Sequence, residues 1–232
     1  MKRLLQTLAQ KWPEYLLEIL VLTIGIYGAF ALDEWNNQQN QKKSKETMVE
    51  NLRQEFMANL DQIDTVLYHD RFAVSKSLQL MEIMKTKDWP NSFDSAFSGV
   101  GYLWSFDPSM GVLRSAIASG QIQYLTNQLL INYLFSWEDV VKDAKENEDR
   151  FISHHQQNMP QFLDRIQAAG YLGLYDHSIP QSVYKSNFIA VLNDPQFENF
   201  LAYKIVKIND AQAELLILRN RITEILNLIE KE

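Results

Sequence analysis

The sequence predicts an all-α fold, in which an N-terminal transmembrane helix continues into an antiparallel helical bundle with a coiled-coil-like seam. The 232 residues include only 8 Gly and 6 Pro, so few positions break a helix. Residues 15–32 are apolar over a length that suits a membrane span. Apolar residues then recur at helical spacing over most of the remaining chain, which predicts long amphipathic helices.

Composition and motifs exclude several functional classes. The formal net charge is -7 and no concentrated basic face is present, which argues against a nucleic-acid partner. The chain has no Cys, so it has neither disulfides nor thiolate metal sites. No phosphate-binding, dinucleotide-binding, zinc-protease or nucleophile-elbow motif occurs. We therefore expect no cofactor and no enzymatic activity.

The first element is the segment of residues 15–32, about 27 Å of helix in which Glu18 is the only charge. Trp12 and Trp35 flank it, and aromatic rings favour the membrane interface. We predict a single transmembrane helix. A cleaved signal peptide ending in "AFA" (residues 29–31) and a buried core helix are the alternatives.

The flanks of this helix predict its orientation. A short basic tail, residues 1–14, precedes the helix, whereas residues 33–41 directly after it carry no cation. Cationic flanks tend to stay on the cytoplasmic side of a membrane. We therefore expect a bacterial inner-membrane protein whose bundle domain, residues 33–232, is periplasmic.

One face of the predicted span differs from the rest. Glu18, Leu22, Gly25 and Ala29 share a helical stripe, and its two small residues would let a second helix approach closely. Glu18 either reaches the lipid headgroups or faces that second helix. Besides membrane lipid, we expect a second copy of the chain or another membrane protein as the partner.

The helix of the span is predicted to continue to about Lys87, since no Gly or Pro lies between Gly28 and Pro90. Pro90 disfavours helix at Trp89 and so ends this element. Helical spacing assigns its apolar stripe to Leu52, Phe56, Leu60, Ile63, Leu67, Val74, Leu78 and Met81.

Two further helices follow. Asp107 is predicted to cap a helix that begins with Pro108 and ends at Gly120. Asn127 is predicted to cap the next helix, which Pro160 interrupts. The stripe of this second helix consists of Leu130, Leu134, Trp137, Val141, Ala144 and Phe151.

A turn-rich connector, residues 168–180, precedes the last helix, which begins at Pro195. The connector residues expected to pack on the bundle are Tyr171, Leu172, Leu174 and Tyr175. The last helix has a heptad seam formed by Leu201, Ile208, Ala211, Leu215, Leu218, Ile222, Ile225 and Ile229. We expect the seam to pack on the long first helix, and an intermolecular coiled coil is the alternative.

Polar residues at apolar stripe positions mark a candidate site. Glu148 and His155 extend the stripe of the second helix, and Asp70 occupies a stripe position of the long first helix, where a polar layer would fix helix register. Three interpretations stay open for Glu148 and His155. They could form a carboxylate–imidazole or metal site between helices, a polar pair satisfied in the core, or a pair left in water by a rotated helix.

The segment of residues 99–111 is rich in glycine but carries no phosphate-binding residues. Tyr102, Trp104 and Phe106 alternate along it, which fits packing on the bundle, the lining of a pocket or a contact patch. Packing is the expected role, because most aromatic side chains are at least half buried.

Several segments in order resemble one family of bacterial membrane proteins. The stretch "YLLEILVLTIGIYGAFALDEWNN" is similar to the N-terminal signature of a large family common in Bacteroidota and grouped under a domain of unknown function. The stretch "LRSAIASGQIQYLTNQLLINYL" resembles its central segment through Ser119, Gly120, Ile122 and Asn127, and "PQFENFLAYKI" with "RITEILNLIEKE" resembles its last helix. "LDEW" departs from the apolar-Asn-Asn-Trp pattern of most members. The resemblance covers nearly the whole chain and implies this topology but no activity.

The sequence thus predicts a membrane-anchored helical interaction protein. It would be a scaffold, an accessory subunit or a sensor-like bundle that acts by self-association or partner binding. The alternative is a ligand- or metal-binding sensor, or an enzyme, whose site lies between bundle helices.

Overall fold

The computed structural model describes residues 2–88, 97, 99–101, 103–166, 178, 180, 183–184 and 187–232, and of residues 2–11 the backbone alone. These residues form helices and turns without a strand, which confirms the all-α prediction. The six described helices are α1 (Lys2–Thr86), α2 (Gly111–Ala118), α3 (Gln128–Asn158), α4 (Pro160–Ile166), α5 (Phe188–Leu192) and α6 (Pro195–Ile229). A 3-10 turn, Gln121–Tyr124, lies between α2 and α3.

Helix α1 is a single element of 85 residues. Every side chain at positions 12–43 is exposed, and Met48 is the first buried one. In the described part of the chain α1 is the one helix long and apolar enough to cross a membrane, with a mean hydropathy of 2.0 in its apolar window and none of that window buried. A core helix would be mostly buried, so the core-helix alternative is wrong. The predicted end near Lys87 is confirmed.

Helix α6 is the centre of the bundle, and both α1 and α3 pack along it. Arg219 on α6 pairs with Asp64 on α1 at 2.5 Å, and Lys45 pairs with Glu232 at 2.7 Å, so the two helices run antiparallel. Arg221 stacks on Tyr133 at 3.9 Å from the ring centroid on the α3 side. The predicted heptad seam of α6 is buried at every position, and it is buried inside the chain.

The predicted stripe of α3 is also buried throughout, and Asn127 caps this helix by accepting hydrogen bonds from the amides of Leu129 and Leu130. Helix α3 ends before Pro160, as predicted. Gly120 ends α2 in the left-handed region, with φ 74, which few residues other than glycine adopt.

On α1 the predicted stripe is wrong beyond Leu67. Leu78 is 53% exposed, and the buried positions there are Asp70, Ala73, Ser77 and Leu80. At this level the buried face of α1 carries mainly small and polar residues. The prediction followed the apolar residues Val74, Leu78 and Met81, each of which lies one position after a buried residue. Val74 and Met81 are only partly buried.

The predicted start of α2 is also wrong. Asp107 pairs with Lys145, and α2 begins at Gly111. Its cap comes from α1: the Glu55 carboxylate accepts hydrogen bonds from the amides of Val112 at 2.7 Å and Leu113 at 3.0 Å. Local sequence rules look for a cap within a few residues, so they could not find this one.

Some predicted features lie outside the described residues. They are the helix break at Trp89 and Pro90, the aromatic ring of Tyr102, and the connector residues Tyr171, Leu172, Leu174 and Tyr175.

We expect Glu55→Ala to lower the free energy of unfolding by about 1–3 kcal/mol, because the amides of Val112 and Leu113 lose their buried acceptor. Helix propensity does not account for such a loss, since Ala is the best helix former. Chemical denaturation of the full chain in detergent measures the change. Glu46→Ala, an exposed glutamate on the same helix, is the control and should leave stability nearly unchanged. Equal effects of both variants would contradict the capping role.

Candidate functional site

Four ionisable side chains are buried where α1, α3 and α6 meet, and we call them the polar layer. Asp70 on α1 is 6% exposed, Glu148 and His155 on α3 are 3% and 5% exposed, and Lys204 on α6 is 0% exposed. The burial of Asp70, Glu148 and His155 excludes the prediction that the α3 pair is left in water. Charged side chains are almost never buried this deeply unless they are paired.

Lys204 is held by backbone. Its ammonium donates hydrogen bonds to the carbonyl oxygens of Val100 and of Gly99, the latter at 3.2 Å. Burial lowers the pKa of Lys204 to about 7, and the negative charge of Asp70 opposes this shift. Among the described residues, no carboxylate forms a direct ion pair with this ammonium.

Glu148 is also held by backbone, a few residues further along the chain. Its carboxylate accepts a hydrogen bond from the Phe106 amide at 2.9 Å. Burial raises the pKa of Glu148 to about 7, although the Phe106 amide and Lys145 act in the opposite direction. The charges of Asp107 and Asp149 add to the increase.

Asp70 completes a pair of buried carboxylates. Burial raises the pKa of Asp70 to about 7, the charge of Glu148 raises it further, and Lys204 opposes both. No described residue donates a hydrogen bond to its carboxylate. The charge of Glu148 thus acts on Asp70, and the two carboxyl groups share one electrostatic environment. That Asp70 fixes helix register stays a prediction.

His155 belongs to the layer but not to that carboxylate pair. Its ring packs against Phe151 and Phe200, with centroids 6.2 Å and 5.7 Å away. Burial lowers the pKa of His155 to about 3, and the positive charges of Lys204 and His154 lower it further. The ring is neutral at physiological pH, and no described residue forms a hydrogen bond with its Nδ1. In the described part of the chain, no three His, Asp or Glu side chains come together as a metal-binding group.

Sequence reasoning missed Lys204, although a signal for it exists. Position 204 lies one heptad before Ala211 and one after Phe197, and both of those residues are buried on the same face of α6. A lysine at a seam position is the pattern by which coiled coils introduce a polar layer. Extending the heptad series Ile225, Leu218 and Ala211 by one more step toward the N-terminus would have identified Lys204.

The segment that the polar layer holds, of which residues 99–101 and 103–106 are described, also fits closely against α1 at Gly99. A Cβ added at Gly99 would lie 2.3 Å from the Cβ of Lys76, so only glycine fits there. Phe106 is buried, which confirms packing for this ring. Trp104 instead stacks on His69 at the surface, with centroids 3.9 Å apart, and is 37% exposed.

A surface groove of about 340 Å³ lies beside the layer, between α3, α4 and α6. Its lining contains no Asp, Glu, Lys or Arg. Burial lowers the pKa of His154, which favours the neutral ring. None of the four polar-layer residues lines it. The residues that do are His154, Asn158, Gln161, Gln196, Asn199, Phe200 and Tyr203.

The predicted face of the span stands apart from this site. Glu18, Leu22, Gly25 and Ala29 are all exposed, and nothing lies within 4 Å of a Cβ added at Gly25. Its role in helix packing stays a prediction.

We expect Gly99→Ala to destabilise the bundle by about 1–3 kcal/mol, because the added methyl group collides with Lys76 and displaces the carbonyl that Lys204 uses. Gly101→Ala is the matched control, since a Cβ at Gly101 meets open space. Thermal unfolding followed by circular dichroism compares the two. A stable Gly99→Ala variant would mean that the segment does not need its contact with α1.

Asp70, Glu148, His155 and Lys204, whose pKa values are shifted mainly by burial, thus lie in one buried layer. The same layer holds the backbone of Gly99, Val100 and Phe106.

Comparison of the chain with protein-family models, with curated proteins and with solved structures gives no match.

Proposed function

We propose that this chain is a single-pass membrane protein whose helical bundle acts by association, as a scaffold, an accessory subunit or a sensor-like module. One observation carries the proposal: the exposed apolar segment and the longest helix of the bundle are the same helix, α1. A segment of this composition is stable in lipid but not in water. The membrane anchor and the bundle are then one rigid body rather than two parts joined by a linker.

The chemistry along α1 supports anchoring. Residues 15–32 match the hydrocarbon thickness to within about a turn of helix, and Trp12 and Trp35 are exposed near the two ends, where aromatic rings favour the interface. Residues 33–43 follow as a polar, exposed stretch of about 16 Å, which we call the stalk. Side-chain hydrogen bonds within the stalk, from Asn37 to Asp33 and from Gln38 to Glu34, support its helix.

Association is the part of the proposal that concerns activity. The face formed by Glu18, Leu22, Gly25 and Ala29 joins small residues to a carboxylate that has no described partner in the chain's own fold. A carboxylate in a span costs about 2.5–3.5 kcal/mol near the bilayer centre and less near its edge, and a partner helix reduces this cost. We propose a second copy of the chain as that partner, in the inner membrane of a bacterium and with the bundle on the periplasmic side.

The anchor is tested by the intact mass of the chain purified from its own membranes. We expect a mass that includes residues 1–31, and release by detergent but not by alkaline carbonate. A soluble chain that begins after Ala31 would show that residues 1–31 are a cleaved signal peptide and would end the proposal.

Association is tested by native mass in a mild detergent. We expect a homo-oligomer in the wild type and a weakening of roughly 1–2 kcal/mol in Gly25→Leu, because the larger side chain keeps the helices apart. Ala31→Leu makes a small-to-large change on the opposite side of the helix and should leave the oligomer intact. A monomeric wild type, or a stoichiometric foreign subunit, would contradict self-association.

A further inference from the structure

The polar layer has an imbalance of charge. Asp70 and Glu148 are two carboxylates, and Lys204 is the one ammonium buried with them. With all three ionised, the layer would hold a net negative charge in a medium of low dielectric constant, which is strongly unfavourable. Lys204 directs its hydrogen bonds to the carbonyls of Gly99 and Val100, so it does not neutralise either carboxylate by direct contact.

The surrounding groups do not correct this imbalance. On α3 and the segment before α2, Lys145 pairs with Asp107, and Asp149 adds a further negative charge near Glu148. On α1, the Ser77 hydroxyl donates to the Ala73 carbonyl and is not turned to a carboxylate.

Three imidazoles also lie in this neighbourhood. His155 is buried and neutral near Lys204, and His154 lies beside Tyr203 with ring centroids 4.0 Å apart. His69 on α1 stacks on Trp104. Because burial lowers the pKa of both His154 and His155, neither of these two rings supplies a positive charge to the carboxylate pair at neutral pH.

We propose that the polar layer is a proton-binding site: in the folded bundle, Asp70, Glu148 and Lys204 together hold two protons at neutral pH, one more than in the unfolded chain. The extra proton makes the three groups electrically neutral. It is shared by the set, because strongly coupled groups titrate together. The raised pKa values of Asp70 and Glu148 agree with this assignment.

Loss of the extra proton would act on the backbone that these side chains hold. Glu148 holds the Phe106 amide and Lys204 holds the carbonyls of Gly99 and Val100, so the same groups fix the backbone of these three residues against the bundle. When the extra proton leaves, a second negative charge is uncovered in the core, and loosening this segment admits the water that would solvate it. A role of the site in sensing periplasmic pH rests on the proposed function, which places the bundle in the periplasm. Proton binding by the bundle does not depend on that placement.

The sign of the linkage follows from the proton count. Between about pH 5 and about pH 7 the unfolded carboxylates have lost their protons, whereas the folded layer keeps one, so unfolding releases a proton. Stability from this layer therefore falls as pH rises through that window. His155 acts in the opposite direction, because the unfolded imidazole binds a proton below its ordinary pKa and the buried ring does not. The comparison must therefore be made between variants that all retain His155.

Infrared spectroscopy of the full chain in detergent, combined with unfolding equilibria, tests the site. At pH 6 we expect the C=O stretching band of a protonated carboxylic acid, lost or strongly reduced in Asp70→Asn or Glu148→Gln. Between pH 5 and pH 7 the unfolding constant of the wild type should rise, relative to either variant, by roughly tenfold per pH unit, the factor for one proton. Asn and Gln mimic the protonated acids, so both variants should fold.

Asp64→Asn is the control, since Asp64 is a carboxylate of α1 that pairs with Arg219 at the surface; it should retain the band and the wild-type slope. Absence of the band from the wild type, or wild-type and variant unfolding constants with the same pH slope, would overturn the proton site. The Gly25→Leu variant should keep the band whatever its oligomeric state, so a failure of the proton site can be told from a failure of the proposed association.

Discussion

The bundle depends on the burial of one face of α6 between α1 and α3. At each end of α6 this face is apolar, and the heptad positions from Ile208 to Ile229 are packed on the other two helices. Apolar contact alone is non-directional and would tolerate sliding of α6 by a heptad. Lys204 removes that freedom, because a buried ammonium must find its carbonyl oxygens at one register. Lys204, the seam position that weakens apolar packing, is thus the position that specifies the register of α6.

Five polar side chains share a common task, which is to hold backbone groups of the chain between α1 and α3. Lys204 binds the carbonyls of residues 99 and 100, Glu148 binds the amide of residue 106, and Asn59 binds both the amide and the carbonyl of Ser109 at 2.8 Å. Glu55 and Glu232 do the same for the amides of residues 112–113 and 126–127. Each helix thereby satisfies backbone groups that a loop cannot satisfy by itself. In the described part of the chain between α1 and α3, these side chains hold the backbone at five places.

Sequence periodicity was sufficient for the elements whose buried face is apolar. The stripe of α3 and the seam of α6 were predicted residue by residue, and Glu148, His155 and Asp70 were recognised as polar intrusions from the same periodicity. It failed where the interior is small or polar: beyond Leu67 the buried face of α1 carries Asp70, Ala73 and Ser77, and Lys204 was overlooked for the same reason. The cap of α2 could not be predicted, because Glu55 is more than 50 residues away and only the tertiary fold brings it to Val112. Which carboxylates face each other depends on helix pairing, which a single periodic pattern does not contain.

Because the stalk is an uninterrupted helix, it fixes the direction around the α1 axis in which the bundle lies relative to residues 15–32. Each helical residue turns by about 100° around the axis, so the direction of the Gly25 side of the span determines the direction in which α3 and α6 lie around α1. Changing the stalk by a single residue would swing the bundle by about 100°, whereas a whole heptad would return it to within about 20°. The number of residues between Leu32 and Ser44 therefore acts as an angular setting as well as a spacing. If two chains associate along the Gly25 face, as proposed, this count helps to set the orientation in which their bundles meet.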